Sequence, residues 1–322
     1  MENKRFDIII PVGDKDVDFV SRVIDFVGRC LTSYEYIYII TNERNIKKIK
    51  EKVRVYDYCI ILDENKLLPG LNFADVRNLI YKYSSLNVNL TGWYFQQFLK
   101  LGFALSPYSK EYYLSWDADT LPLAPISFFD EGHILFNPKH EKHENYFDTN
   151  FRLLGYGKIV EESFISESMM FSSRIVKELL NHIEQQEIPG DSWMEKIICS
   201  CDFKKSPQAF SEFETYGNYC QRYYPGLYKK RHLNTFREAG LIRGRNISEN
   251  LLRKMSFDID MASFEMLDMP SFPYNIPNVF FKIKNKLKRV KLMTFKQIID
   301  KITGEKANNC NDDYYRLPHR LK

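Results

Sequence analysis

The chain has 322 residues, of which 44% are hydrophobic and 15% aromatic, so it can bury a sizeable core, and its 14 Gly and 13 Pro exclude a collagen-like, low-complexity or mainly disordered protein. The formal net charge is +4, but eight Lys or Arg residues and a single acid, Asp300, lie within residues 278–302. The rest of the chain is slightly acidic, which argues against a basic body that wraps nucleic acid.

Four short apolar runs in the first half of the chain predict β-strands at residues 6–10, 36–40, 58–62 and 112–116. Between the first three, apolar residues at helical spacing predict helices over 17–31 and 45–53. Strands that alternate with helices are typical of a parallel sheet with helices on its faces. The pattern therefore predicts an α/β fold with a mostly parallel central sheet.

A further helix is predicted over residues 91–101, before the fourth strand, because apolar residues at 94, 95, 98 and 101 form one face. Gln97 and Lys100 are three residues apart and should project together from this helix, although a solvated polar face would look the same. Later segments predict short strands at 133–137 and 168–172 and helices at 174–185, 192–199 and 211–219. Three prolines at 270, 273 and 277 then mark a break, so we expect the core domain to end near residue 270.

Residues 278–292 predict a basic amphipathic helix, with apolar residues at 280, 283, 287 and 290 and Lys or Arg around most of the remaining surface. Thr294 and Gln297 resemble a capping box that would start another helix over 295–302. Such a segment suits the anionic cytoplasmic face of a membrane, but a helix that packs its apolar stripe on the body is the open alternative. No recognisable nucleic-acid-binding module accompanies it.

No run of about 18 apolar residues occurs, and the first apolar run is only strand-length, so we expect neither a membrane-spanning helix nor a secretory signal. The six cysteines form no Cys-x-x-Cys pair and have no histidine at zinc-site spacing, so we expect buried thiols. A reducing cytoplasm is the expected location.

The most informative motif is the pair Asp117 and Asp119. Asp-x-Asp tripeptides occur at 14/16, 16/18, 117/119 and 258/260, but only the third ends an apolar strand. Since residues two apart in a strand project to the same side, both carboxylates should converge at the carboxyl edge of the sheet, where open α/β sheets bind ligands. Two carboxylates there suit Mg²⁺ or Mn²⁺, which completes its shell with water and substrate phosphates. The alternative is a pair of solvated acids at a strand end.

The tetrapeptide from Asp117 to Thr120 also matches a phosphatase pattern in which the first Asp is a nucleophile and the second an acid. That pattern belongs on the first strand of its fold, whereas about a hundred residues of α/β pattern precede it here. The phosphatase pattern also includes a Gly-Asp dipeptide later in the chain, after an apolar strand. Here that dipeptide is found only as Gly190 and Asp191, which follow no apolar strand. A phosphatase is therefore the weaker enzyme alternative.

Four segments in this order resemble the nucleotide-sugar-dependent glycosyltransferases of the GT-A fold. They are residues 92–97 (GWYFQQ) with Lys100, 116–120 (WDADT), 164–171 (FISESMMF) and 210–217 (FSEFETYG). The resemblance covers about residues 5–240. Within this fold, the segments most resemble a poorly characterised bacterial family associated with capsule, O-antigen or lipopolysaccharide assembly. It implies a Rossmann-type catalytic domain over 1–270, with a nucleotide-sugar-binding half (1–123) and an acceptor-binding half (124–270), followed by a basic helical appendage over 271–322.

The resemblance also implies roles for individual donor-site residues. Asp119 would bind the metal directly, Asp117 would contact the ribose or a metal-bound water, and His232 would be a third metal ligand, unless it is simply a surface histidine. The remaining donor-binding residues would be Pro11, Val12 and Asp16 at the end of the first strand, with Gln97 and Lys100. Asp16, or Asp14 beside it, is equally expected as the N-cap of the next helix.

An acceptor hydroxyl needs a base if the anomeric centre inverts, and a carboxylate is the usual base. Ser211 is expected to cap a helix and to place Glu212 in its first turn, where acids are also favoured for ordinary electrostatic reasons. The resemblance makes Glu212 the leading candidate and Glu167 the second. Lys100 and the metal would neutralise the diphosphate leaving group.

The sequence thus predicts a hexosyltransferase-type enzyme that uses Mn²⁺ or Mg²⁺ and moves a sugar from a nucleotide-diphosphate sugar, UDP rather than GDP or CMP, to a bacterial surface polysaccharide or glycolipid. We expect it in the cytoplasm, peripherally bound to the anionic inner face of the membrane through its basic helix, with a glycan or lipid-linked glycan as acceptor and no nucleic-acid partner. A catalytically inactive membrane-associated scaffold is the non-enzymatic alternative, although the presence of both Asp117 and Asp119 weighs against it.

Overall fold

The computed structural model describes residues 4–84, 90–141 and 143–266 and, beyond them, 268, 270, 272–276, 279, 280 and 283. Nearly all of the predicted basic appendage over 271–322, including the helix over 295–302, lies outside the described residues.

The elements follow one another as β1 (Phe6–Val12), α1 (Val20–Cys30), β2 (Tyr34–Thr41), α2 (Glu43–Val53), β3 (Cys59–Asp63), α3 (Phe73–Tyr83), α4 (Thr91–Gly102), β4 (Tyr112–Trp116), β5 (Thr120–Pro122), β6 (Phe129–Asp130), β7 (His133–Phe136), α5 (Glu144–Leu154), β8 (Ser168–Ser172), α6 (Ser173–Glu184), α7 (Trp193–Ser200), α8 (Glu212–Tyr223), β9 (Tyr228–Lys230), β10 (Thr235–Phe236), α9 (Gly240–Arg243), α10 (Glu249–Met255) and β11 (Met261–Ser263). Every strand and helix predicted within the described residues forms, to within a few residues at each end.

A five-stranded sheet in the order β3-β2-β1-β4-β8 forms the centre of the protein. Its first four strands are parallel, and β8 runs antiparallel to β4. Every residue of β1 is buried, which is typical of a central strand in a sheet covered on both faces. The predicted α/β fold with a mostly parallel central sheet and flanking helices is confirmed.

Two small three-stranded sheets, β10-β11-β5 and β6-β7-β9, add to the central sheet. In the first of them, β5 directly follows the Asp-x-Asp pair and pairs with β11, which lies about 140 residues later in the chain. The end of the predicted nucleotide-binding half is thereby hydrogen-bonded to the end of the predicted acceptor-binding half.

Helices α3 and α5 were not predicted. Apolar residues at 73, 76, 79, 80 and 83 of α3 do follow helical spacing, and Val76 and Ile80 among them are buried. The start of α3 is fixed by Asn72, whose side chain accepts a hydrogen bond from the backbone N–H of Asp75. Helix α5 ends at Leu154, and the next residue, Gly155, adopts the left-handed conformation (φ 76°) common after a helix C-terminus.

The described thiols are all free, but the prediction that they are buried holds only for Cys201 and Cys220, since Cys30, Cys59 and Cys199 are half-buried. Among the described helices, none is both long enough and apolar enough to cross a membrane.

Candidate functional site

The carboxyl edge of the central sheet brings the predicted acids together. Strand β4 ends at Trp116, which pairs with Ser168 at the start of the antiparallel β8. The pairing continues beyond both strands, because the backbone N–H of Asp117 donates a 3.0 Å hydrogen bond to the carbonyl oxygen of Glu167. The first Asp of the motif and the second candidate base therefore lie side by side.

The turn that carries Asp117 and Asp119 is held from the opposite side by β11 and the residue after it. The backbone N–H of Phe264 donates to the carbonyl oxygen of Asp119 at 2.8 Å, and the hydroxyls of Thr120 and Ser263 are 2.8 Å apart. Ala118 is buried, whereas both acids are half-buried. The turn therefore exposes the two carboxylates in part and buries the residue between them.

Lys100 of α4 is the centre of a buried ion cluster. Its Nζ lies 3.0 Å from Oδ1 of Asp117 and 2.9 Å from Oε1 of Glu212, and the residue is only 5% exposed. The same ammonium lies 4.3 Å from the ring centroid of Phe213. One cation thus joins the first Asp of the motif to the leading candidate base.

Burial and charge oppose each other in this cluster. Burial by itself would lower the pKa of the Lys100 ammonium, but the charges of Asp117 and Glu212 raise it above its usual value. Burial raises the pKa of the Asp117 carboxyl to about 6, although the charge of Lys100 opposes that rise, and the neighbouring charge of Asp119 adds to it. A bound cation would favour the ionised form of both acids.

The first turn of α8 positions Glu212. The hydroxyl of Ser211 accepts a 3.3 Å hydrogen bond from the backbone N–H of Glu214, so Ser211 is the N-cap, as predicted. The N–H of Glu212 donates to Oε1 of Gln97 at 3.1 Å. Gln97 and Lys100 do project together from α4, and both contact Glu212.

The neighbouring acid Glu214 has a different environment. Its carboxylate accepts hydrogen bonds from the hydroxyl of Ser163, from the backbone N–H of Phe164 at 3.1 Å and from the side chain of Asn218 at 3.2 Å. It therefore ties the segment before β8 to helix α8 and is a structural residue.

Glu167 is buried between two cations that the sequence analysis did not single out. Its carboxylate lies 3.4 Å from Nζ of Lys139 and 3.4 Å from Nε of Arg237, and no described residue forms a hydrogen bond with either carboxylate oxygen. Arg237 also pairs with Glu141. Lys139 and Arg237 lie in or beside irregular segments about a hundred residues apart, so no sequence pattern marks them as neighbours.

The end of β1 lies beside this site. Pro11 and Val12 are buried, and Asp16 is buried against Arg245, whose Nη2 lies 2.5 Å from the Asp16 carboxylate. Helix α1 starts after Phe19 without a side-chain cap, so the alternative in which Asp14 or Asp16 caps it is wrong.

His232 lies apart from the acid cluster. It is exposed, between β9 and β10, in the wall of a cleft of about 660 Å³ that Lys139, Asn234 and Asp258 also line. Among the described residues, no three His, Cys, Asp or Glu side chains converge to hold a metal ion, so His232 does not join Asp117 and Asp119 in a three-ligand cluster.

Comparison with known proteins gives a family and distant structural similarities. A family model described as a family of unknown function, DUF6492, matches residues 7–242, and no curated protein matches the chain. Among solved structures, the apo form of mouse xyloside xylosyltransferase 1 is 11% identical, with a TM-score of 0.41, over 80% of this chain and 97% of that one. The galactosyltransferase LgtC, in complex with donor and acceptor sugar analogues, is 9% identical, with a TM-score of 0.39, over 80% of this chain and 87% of that one. The glycosyltransferase GlyE of Streptococcus pneumoniae is 9% identical, with a TM-score of 0.37, over 94% of this chain and 64% of that one.

Proposed function

The chain belongs to the DUF6492 family, whose function is unknown, and we propose that it is a glycosyltransferase that moves a sugar from a nucleotide-diphosphate sugar to a glycan acceptor. The observation that carries this proposal is the Lys100 cluster, in which one buried ammonium joins Asp117 to Glu212 at the carboxyl edge of the sheet. Open α/β sheets bind their ligands at this edge. The sequence motifs that resemble GT-A glycosyltransferases include all three residues.

The residues at this edge fit a hard divalent cation. The carboxylate of Asp119 makes no hydrogen bond or ion pair with a described residue, and Asp117 offers a second carboxylate two residues away. Mg²⁺ is commonly held by one or two carboxylates, with water and substrate phosphates as its other ligands, so a third protein ligand such as His232 is not required. Mn²⁺ or Mg²⁺ bound here would neutralise the charge that develops on the diphosphate leaving group.

The donor lies along the carboxyl ends of β1 and β4 in this proposal. Pro11, Val12 and Asp16 border the nucleoside, for which we favour uridine, and Lys100, Gln97 and Asp117 lie at the sugar and diphosphate end. The ion pair between Asp16 and Arg245 supports this placement, because it fixes the loop after β1 against the segment that follows α9. Residues 1–123 supply most of the donor site and residues 124–270 most of the acceptor site.

Glu212 is the base that accepts the proton of the acceptor hydroxyl in this proposal, and Glu167 is the second candidate. Two contacts from α4 hold Glu212: Gln97 accepts from its backbone N–H, and the ammonium of Lys100 pairs with its carboxylate, which is thereby positioned before substrate binds. Glu167 is equally buried but pairs with Lys139 and Arg237. The acceptor is a bacterial surface polysaccharide or a glycolipid, and the basic segment over 278–302 binds the inner face of the membrane.

A thermal-shift panel tests the proposal, because a ligand that binds only the folded state raises the melting temperature by mass action. UDP, GDP, CMP and uridine are each added with and without Mn²⁺. We expect the largest shift with UDP and Mn²⁺ together, and slow hydrolysis of a UDP-sugar under the same conditions. Equal shifts for all nucleotides, or none, would remove the donor assignment. Turnover of simple phosphomonoesters without a response to UDP would favour the phosphatase alternative.

A further inference from the structure

A band of three aromatic rings lies next to the Lys100 cluster, where α4 and α5 begin. The rings of Trp93 and Tyr146 are nearly parallel, with 22° between their planes and 6.5 Å between their centroids. The imidazole of His143 continues the band, 5.2 Å from Tyr146. Trp93 and Tyr146 are half-buried and His143 is exposed, so part of the band faces solvent.

Both ends of the band connect to the candidate bases. At one end, the amide of Gln97 donates to the carbonyl oxygen of Trp93 at 3.5 Å and accepts from the N–H of Glu212 at 3.1 Å. At the other end, Nε2 of His143 lies 3.7 Å from Glu141.

Glu141 in turn pairs with Arg237, whose Nε lies 3.4 Å from Glu167. Burial raises the pKa of the Tyr146 hydroxyl, and the nearby charges of Glu212, Glu214 and Glu141 raise it further. The band thus runs between the two carboxylates that are candidates to activate an acceptor.

We propose that Trp93 and Tyr146 form a stacking platform for a pyranose ring of the acceptor. An aromatic face is electron-rich and attracts polarised C–H bonds, and one face of a pyranose presents such bonds while its hydroxyl groups point outward. Glu141, which lies 3.7 Å from His143, and its partner Arg237 border the platform and supply an acceptor and donors for those hydroxyls.

The platform is assigned to the acceptor because of its position. The nucleoside end of the proposed donor site lies at the end of β1, whereas Trp93 connects through Gln97 to Glu212, the proposed base for the acceptor hydroxyl. This inference rests on the proposed function, so its test must distinguish the two.

Tryptophan fluorescence gives a direct readout of sugar binding. The chain has three tryptophans, and Trp116 and Trp193 are 0% and 4% exposed, so a change in emission on adding a sugar reports mainly on Trp93. The probes are methyl β-D-galactopyranoside, methyl β-D-glucopyranoside and lactose, with galactitol as a control that has hydroxyls but no ring. We expect a saturable change with at least one pyranoside and none with galactitol.

Three variants separate stacking from other effects. Tyr146→Ala should lose the response, Tyr146→Phe should keep it, and Tyr81→Ala should keep it, since Tyr81 is an exposed tyrosine on α3. In turnover assays, Trp93→Ala should raise the acceptor KM roughly tenfold and leave the KM for donor hydrolysis unchanged. Melting curves of all variants check that they fold.

The outcomes separate this inference from the proposed function. A response to uridine instead of pyranosides, a response that survives Tyr146→Ala, or an effect of Trp93→Ala on the donor KM alone would overturn the platform even if donor hydrolysis persists. A pyranoside response without any nucleotide binding or donor hydrolysis would support the platform as a sugar-binding surface and overturn the proposed transfer.

Discussion

The backbone N–H of Asp117 donates a 3.0 Å hydrogen bond to the carbonyl oxygen of Glu167, which joins the end of β4 to the residue before β8. This bond continues the antiparallel pairing of the two strands by one step. It fixes the backbone from which both carboxylates project, so each side chain can be changed with little effect on the position of the other. The site is therefore suited to single substitutions that test one role at a time.

Asp119→Ala should abolish metal-dependent donor hydrolysis and transfer while leaving the melting temperature nearly unchanged. Its carboxylate makes no hydrogen bond or ion pair with a described residue, so its loss leaves no buried partner unsatisfied. Asp18→Ala is the matched control, because Asp18 belongs to another Asp-x-Asp and is exposed, where it pairs with Lys48 and Lys52. Turnover with varied Mn²⁺ measures the difference, and equal activity of the two variants would refute the choice of motif.

Lys100→Met should lower the free energy of unfolding by about 3 kcal/mol, because it leaves two carboxylates facing each other without their shared cation. Adding Glu212→Gln should restore part of the loss, since one of the two charges is then gone. Lys48→Met, which breaks an exposed ion pair, should change stability by less than about 1 kcal/mol. Urea denaturation of the wild type, Lys100→Met, Glu212→Gln and the double variant gives the coupling energy, with Lys48→Met measured beside them. Additive effects of the Lys100 and Glu212 changes would show that the cluster does not act as a unit.

The sequence predicted the central sheet, the position of Asp117 at its carboxyl edge and most residues of the Lys100 cluster, for physical reasons. A buried strand needs a continuous apolar run, which marks β1 and β4, and a helix needs periodic apolar residues, which place Gln97 and Lys100 on one side of α4. These local patterns are sufficient to put Asp117 at the carboxyl edge. They do not show that Lys100 bonds to both Asp117 and Glu212, because that contact joins segments about a hundred residues apart.

The surroundings of Glu167 could not be predicted for the same reason. Lys139 and Arg237 lie where the chain has little periodicity, and only the folded structure brings them to one carboxylate. Helix α3, in contrast, could have been predicted, because its apolar residues at 73, 76, 79, 80 and 83 follow helical spacing. The capping alternative for Asp16 failed because a long-range partner, Arg245, holds its carboxylate.

Gly217→Ala should destabilise the protein by about 1–3 kcal/mol, because a methyl group at this position of α8 would overlap the ring of Phe164. Adding Phe164→Leu should recover part of that loss by making room. Gly92→Ala is the matched control in another helix, where a methyl group would meet nothing within 4 Å, and it should stabilise by about 0.5–1 kcal/mol. Urea denaturation measures all four proteins, and a Gly217→Ala variant as stable as Gly92→Ala would contradict the packing of Phe164 against α8.

Glu64→Gln should stabilise the protein above pH 7 and have no effect below pH 4.5. Burial, followed by the charge of Asp63, raises the pKa of Glu64 from 4.5 to about 7. A carboxyl group that holds its proton more tightly when folded makes the free energy of unfolding fall as pH rises between those values, and glutamine removes that contribution. Urea denaturation of both proteins from pH 4 to pH 8 tests this, and a constant difference across the range would contradict it.

The basic segment should bind anionic membranes through charge. The two described members of its predicted apolar face, Phe280 and Ile283, are 68% and 50% exposed, as the membrane prediction requires. Truncation after Pro277 should therefore abolish co-sedimentation with vesicles that contain phosphatidylserine, while turnover on a soluble acceptor and the melting temperature stay nearly unchanged.

Salt and charge reversal test whether that binding is electrostatic. Because the Debye length falls from about 10 Å at 0.1 M salt to about 3 Å at 1 M, high salt should release the full-length protein from the vesicles. Lys284→Glu, Lys288→Glu and Lys291→Glu together should release it at low salt, since they turn attraction into repulsion within the segment that holds most of the excess positive charge. The matched control is the same number of reversals on α2, at Lys47, Lys48 and Lys50, which should leave most of the binding in place. A salt-insensitive pellet, together with a truncation that lowers the melting temperature, would show instead that the segment packs on the body through its apolar face.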